Sequence, residues 1–158
     1  MANSKNTFTG SITDKRTIPY DSAKTGTIET VGKEVIGAGT LFTTQCKVGD
    51  FLVDLTQDEV HKIVSIDTAT IMQIQEAFTV DIPAVTAIRI SPSVPRPKEI
   101  SVLIPTGNAV GEIEGKSWDA GISWSASKMN KDRNGISDSI DPIVVDATGT
   151  TMLITINY

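Results

Sequence analysis

Five places in this 158-residue sequence carry side chains whose types and spacing suit chemistry. Asn130-Lys131-Asp132-Arg133-Asn134-Gly135, followed by Asp138 and Asp141, puts oxygen ligands at alternate positions and then a turn glycine, the first half of a calcium loop. Asp132, Asn134 and Asp138 are its candidate ligands. Asn stands where the first Asp belongs, Asp141 replaces the bidentate Glu, and Lys131 and Arg133 cut the local negative charge. A solvated loop with an Asn-Gly turn is therefore the expected reading, and no metal is expected. Gly111-Glu112-Ile113-Glu114-Gly115-Lys116-Ser117 looks like a phosphate loop but has three residues between its glycines, where four are needed for the backbone N–H groups to wrap a phosphate. A strand rather than a helix follows it, so no anion site is expected.

His61 is the single histidine, and any histidine-dependent catalyst must use it. It lies within an apolar-rich run from Val60 to Ile66, where a packed or edge position is expected. A hydrolase would set it beside a carboxylate in a pocket. Glu112 and Glu114 fall on one side of an extended segment, the arrangement of a glycosidase pair, but aromatics make up only 5% of the chain and cannot line a sugar cleft. Cys46 is the single cysteine, so no intrachain disulfide forms, and a buried apolar role is expected. With one His and one Cys the chain cannot assemble a four-ligand zinc site. No cofactor and no enzymatic activity are expected.

These groups must be positioned by strands. The chain holds 20 Ile, 13 Val and 20 Thr against 5 Leu and 11 Ala, and β-branched side chains fit a pleated surface better than a helix. The expected fold is all-β. Net charge is -5 and the isoelectric point is near 4.8, which argues against direct nucleic-acid binding. No stretch approaches the roughly 20 apolar residues of a membrane span, and no apolar run follows Lys5, so neither membrane insertion nor a signal peptide is expected.

Residues 1–26 are rich in Ser, Thr, Asn and Lys and carry a net +2, leaving -7 on the remainder. They are expected to form an extended N-terminal arm that orders against a neighbouring subunit through Phe8, Ile12, Ile18 and Tyr20. From 27 to 90, short apolar runs alternate with turn signals at the spacing of a small barrel. Gly37-Ala38-Gly39-Thr40 marks positive φ or close backbone approach, and Lys47-Val48-Gly49-Asp50 and Asp67-Thr68-Ala69-Thr70 read as turns. Pro92, Pro95 and Pro97 punctuate residues 91–98, read as a linker. Residues 99–158 form a second β module, an antiparallel sheet or sandwich. Within it, 117–127 alternates as one strand with Trp118, Ala120, Ile122, Trp124 and Ala126 on one face. Met152, Ile154, Ile156 and Tyr158 repeat the pattern, and Tyr158 joins the interface candidates.

Val35-Ile36-Gly37-Ala38-Gly39-Thr40-Leu41-Phe42, then Val48-Gly49-Asp50-Phe51-Leu52, then His61 to Ile71 and Phe78 resemble a small β-barrel module, SH3- or OB-like, of tailed-bacteriophage virion structural proteins. The resemblance covers the barrel segment alone. It implies a virion part, made in the host cytoplasm, whose partners are further copies of itself and other virion structural proteins. A homo-oligomeric ring or collar at the neck or tail is the leading expectation, and a capsid-decorating or head-fibre subunit is the alternative. From a different class, a carbohydrate- or peptide-binding β module fits the same fold and would expose Trp118 or Trp124 beside a groove.

Overall fold

The computed structural model describes residues 7–93, 97–121, 123–127 and 141–158. In chain order the strands are β1 Thr7–Ile12, β2 Lys15–Ile18, β3 Ser22–Val31, β4 Glu34–Ala38, β5 Phe51–Asp54, β6 Glu59–Ile66 and β7 Ile71–Ile74. They continue as β8 Thr86–Ser91, β9 Glu99–Leu103, β10 Gly111–Ile113, β11 Lys116–Trp118, β12 Ser123–Ser127, β13 Ile143–Asp146 and β14 Met152–Asn157. One helical turn, α1 Phe42–Gln45, is the only helix among the described residues. The protein is all-β, as its composition predicts. It divides into two compact units, Tyr20–Val94 and a discontinuous one made of Met1–Pro19 with Pro95–Tyr158.

The first unit is a closed antiparallel barrel of order β3-β4-β7-β6-β5-β8. Closure leaves no unpaired edge. Its interior is filled by β-branched and other apolar side chains, among them Ile28, Val35, Leu52, Ile63, Met72 and Ile88, each 2% exposed or less. Two bulges shape it. The β3–β8 register shifts between Ala23 and Thr27, where Gly26 has φ +88, and the β6–β7 register shifts between Ile63 and Ser65, which turns Val64 outward. The resemblance-bearing residues sit at turns and core positions. Gly39 has φ +66, and a Cβ on Gly37 would collide with Thr40 and with the buried Phe42 ring. Leu41 and Phe42 lead into α1, whose Phe42 enters the barrel core. Asp67–Thr70 forms the expected hairpin turn, with the Thr68 hydroxyl accepting from Thr70 N–H at 3.1 Å.

The second unit holds two four-stranded antiparallel sheets, β1-β14-β9-β12 and β11-β10-β13-β2. Residues 7–19 therefore do not stand apart as an arm. β1 and β2 each supply an edge strand, pairing with the C-terminal β14 and β13. Period-2 apolar spacing explains it: Ile12 lies opposite buried Met152, and Ile18 opposite buried Ile143, so the fold itself covers them. Residues 20–26 belong to the barrel. In sequence, the barrel is inserted between β2 and β9.

The two sheets approach closely at Gly111 of β10. A Cβ there would run into Met152 Cε of β14 and lie 3.2 Å from Ile104 Cδ1. The predicted continuous strand over 117–127 is two strands in different sheets. Asp119-Ala120-Gly121 breaks it, with Gly121 at φ +84, a conformation that redirects the chain from β11 to β12. Glu114 is likewise not in a strand with Glu112. Glu114 (φ 51) and Gly115 (φ 70) make the two-residue turn of the β10–β11 hairpin, which matches a primed turn.

Candidate functional site

The chemistry-bearing side chains of the barrel converge on one irregular segment, residues 78–82, which crosses between β7 and β8 without joining the strand ladder. Phe78 and Ile82 anchor it, 4% and 2% exposed, as parts of the barrel core. Between these anchors Thr79, Val80 and Asp81 are exposed, yet the Thr79 N–H and both backbone groups of Val80 are paired. Side chains supply the partners.

Glu59 and His61 sit two residues apart on β6 and so share a face. The Glu59 carboxylate accepts the Thr79 N–H at 3.0 Å. The same oxygen lies 3.0 Å from His61 Nε2, a contact in which the ring nitrogen donates. The imidazole meets the Phe78 ring edge-on, centroids 4.4 Å apart at 88°. Burial pushes the Glu59 carboxyl up, but the bonds from Thr79 and His61 outweigh it and hold the group below its ordinary value. Beside it, the Gln57 amide donates to Val80 O at 2.7 Å and accepts Val80 N–H at 2.8 Å, while its other N–H reaches Asp54 at 2.8 Å. From the far side, Thr30 exchanges backbone and hydroxyl bonds with Ile82, and Asp81 accepts the Gly32 N–H at 2.9 Å.

His61 thus has the neighbouring carboxylate that a hydrolase would require, but that carboxylate oxygen also holds the backbone of residue 79. The visible work of the pair is to strap a core-plugging segment onto the barrel. Sequence reasoning located His61 and missed Glu59, Gln57 and Thr79. The shared face of Glu59 and His61 was readable from their spacing; their backbone targets, 20 or more residues away, were not.

Cys46 follows α1 and is buried, and its thiol is pushed up to about 11 by burial and by the nearby Asp50 charge, with Lys24 opposing. Asp50 is itself buried and accepts the Lys47 N–H at 2.9 Å, the Ser93 N–H at 2.9 Å and the Ser93 hydroxyl at 3.0 Å. These bonds fix the start of β5 and the end of β8. Residues 91–93, the first part of the predicted linker, are thereby held to the barrel. Arg89 Nε donates to Asp21, whose side chain is fully buried.

The five interface candidates separate. Ile12 and Ile18 are interior to the chain's own sheets, 4% and 0% exposed, and offer no surface to a neighbour. Phe8 is 39% exposed, and Tyr20 and Tyr158 are half-buried. The calcium-loop candidates Asp132, Asn134 and Asp138 lie outside the described residues. Among the described residues no three His, Cys, Asp or Glu side chains group as a metal site would. Glu112 is exposed, and Trp118 and Trp124 are half-buried. Among the described residues no helix is long and apolar enough to cross a membrane.

The outer faces of the two sheets differ in character. On β11-β10-β13-β2 the cross-strand row runs Ser117, Glu112, Asp146, Lys15. Burial raises the Asp146 carboxyl, but bonds from Thr148 and the Lys15 charge overcome this and leave it below its ordinary value. On β1-β14-β9-β12 one outward row is Ser11, Leu153, Leu103, Ser123, and the row beside it is Thr9, Thr155, Ser101, Ser125. Neither of these two rows holds a charge, and the next position on the same face of β9 is Glu99, whose carboxylate accepts from Asn157 Nδ2 at 3.0 Å. Comparison with protein-family models, curated proteins and solved structures found no match to this chain.

Proposed function

We propose that this chain is a non-enzymatic structural subunit of a tailed-bacteriophage virion, assembling with copies of itself into a ring or collar at the neck or tail and contacting other virion structural proteins there. The observation that carries the reading is the use made of the resemblance-bearing residues. Gly37, Gly39, Phe42, Gly49, Asp50, Thr68 and Phe78 all serve to turn, close or fill a small six-stranded barrel. His61 and Cys46, the two side chains best suited to catalysis, are engaged in holding that barrel together or buried within it. A closed barrel joined in sequence to a unit of two antiparallel sheets suits a subunit that works through its surface.

Mass measurement of the purified full chain in solution, followed by electron microscopy, tests this. Closed rings of one chain are the expected result. Short spikes or discrete small oligomers would favour the capsid-decorating or head-fibre alternative, and a monomer at every concentration would contradict self-assembly.

A further inference from the structure

We propose that copies of this chain join head to tail through the two edges of the β1-β14-β9-β12 sheet, β12 of one copy pairing antiparallel to β1 of the next. The barrel is closed, so among the described residues the sheet edges are the outer sides of β1, β12, β2 and β11. An open edge presents backbone N–H and C=O groups that a further strand can pair, and charged side chains or a very short strand normally guard it. β2 and β11 are guarded, being four and three residues long and carrying Lys15, Arg16 and Lys116. β1 and β12, six and five residues long, hold no charged residue and no proline.

Strand direction, length and face select a second copy as the occupant. Each neighbouring pair in this sheet is antiparallel, so β1 and β12 run in opposite directions, and a copy placed alongside in the same orientation sets its β1 antiparallel to β12. Phe8, Gly10 and Ile12 lie opposite the buried Ile156, Ile154 and Met152, and Trp124 lies opposite the buried Val102, which puts all four on the core side of the sheet. Thr9, Ser11, Ser123 and Ser125 lie on the outward side. One register matches these faces and uses all five residues of β12: Thr9 against Ser125, Gly10 against Trp124 and Ser11 against Ser123. A slip of one residue would set Trp124 beside Ser11, on the wrong face. In the matched register the half-buried Trp124 meets Gly10, whose missing side chain leaves room for the indole, and the 39% exposed Phe8 lies on the same seam. The two edges differ from each other, so the contact is heterologous, the kind that generates a ring when its rotation closes. This inference rests on the self-assembly reading above and adds its contact.

The test oxidises the full-length double variant Thr9→Cys, Ser125→Cys and reads it by non-reducing electrophoresis. Within one chain the two positions stand three strand spacings apart, about 14 Å. That exceeds the roughly 7 Å between Cα atoms that a disulfide spans, so a bond between them joins two copies. The expected result is a ladder of covalent oligomers reaching the full particle, with each single variant left as a monomer on the gel. A double variant that keeps the wild-type particle mass but runs as a monomer overturns the edge contact while leaving self-assembly intact. Covalent dimers from Thr9→Cys alone overturn the head-to-tail order, because β1 then meets β1. A wild type that is monomeric in solution at all concentrations overturns both readings. Should the double variant fail to fold, Thr9→Lys decides by mass: a charge on the exposed edge should reduce the particle to monomers with an unchanged β-sheet circular dichroism spectrum, and an unchanged mass overturns the contact.

Discussion

The side chain of Gln57 makes to Val80 both hydrogen bonds that a neighbouring strand would make, donating to its carbonyl at 2.7 Å and accepting its N–H at 2.8 Å. A segment that leaves the ladder after β7 is thereby paired by an amide side chain in place of a strand. Gln57→Ala removes both bonds and also the one to Asp54. A loss of about 1–2 kcal/mol is expected, given that each of the three bonds, two of them exposed, contributes about 0.5 kcal/mol, the low end of the net range. Faster amide exchange confined to residues 79–82 should accompany it, and unchanged exchange there would show that the strap is held without Gln57, by the Phe78 and Ile82 anchors and the Glu59 and Thr30 bonds.

Glu59 makes the strap sensitive to acid. Its carboxyl titrates below its ordinary value of 4.5, so its contribution to stability is fully present above that value and is lost as pH falls through the lower folded-state value. Denaturant unfolding of wild type and Glu59→Gln across pH 3 to 7 reads this. The amide still accepts from Thr79 but carries no titrating charge, so the variant should lose less stability between pH 5 and 3. Parallel pH profiles for the two proteins would remove Glu59 from the account.

Two glycines that look alike in the sequence should respond differently to alanine. At Gly26 the backbone has φ +88, and a Cβ would lie 2.6 Å from the Ala38 carbonyl oxygen and 2.7 Å from Thr40 N, atoms that cannot yield. At Gly39 the φ is +66, but a Cβ meets nothing within 4 Å. Gly39→Ala should cost about 1 kcal/mol through backbone strain alone, and Gly26→Ala several times more. Thermal unfolding of the two variants gives the order directly.

Cys46 should resist thiol reagents in the native protein at pH 8, because burial and the Asp50 charge push its thiol up to about 11 and keep it protonated. Reaction should become complete in denaturant. Rapid native modification would place the thiol at the surface and contradict its packing beside Phe42 and Phe78 in the core.

Most of the fold was legible because local physics wrote it. The alternation of Met152, Ile154 and Ile156, and the turns at Lys47–Asp50 and Asp67–Thr70, involve neighbours in sequence, and each is found as expected. Partnerships across the chain were not legible. Ile12 and Ile18 looked like anchors for a neighbour because nothing local shows that their partners lie more than 120 residues away, in β14 and β13. Trp118 and Trp124 looked like one face of one strand because the period survives the Gly121 turn that separates them. The strap followed the same rule: His61 was visible, but its tie through Glu59 to Thr79 required the barrel to close.

The central claim is self-assembly through surface, and the mass of the purified full-length chain tests it most directly. Light scattering coupled to size exclusion, run over a hundredfold range of concentration, should return a fixed multiple of 16.9 kDa that microscopy resolves as closed rings. A mass of 16.9 kDa at every concentration, with no particles in the micrographs, would contradict it.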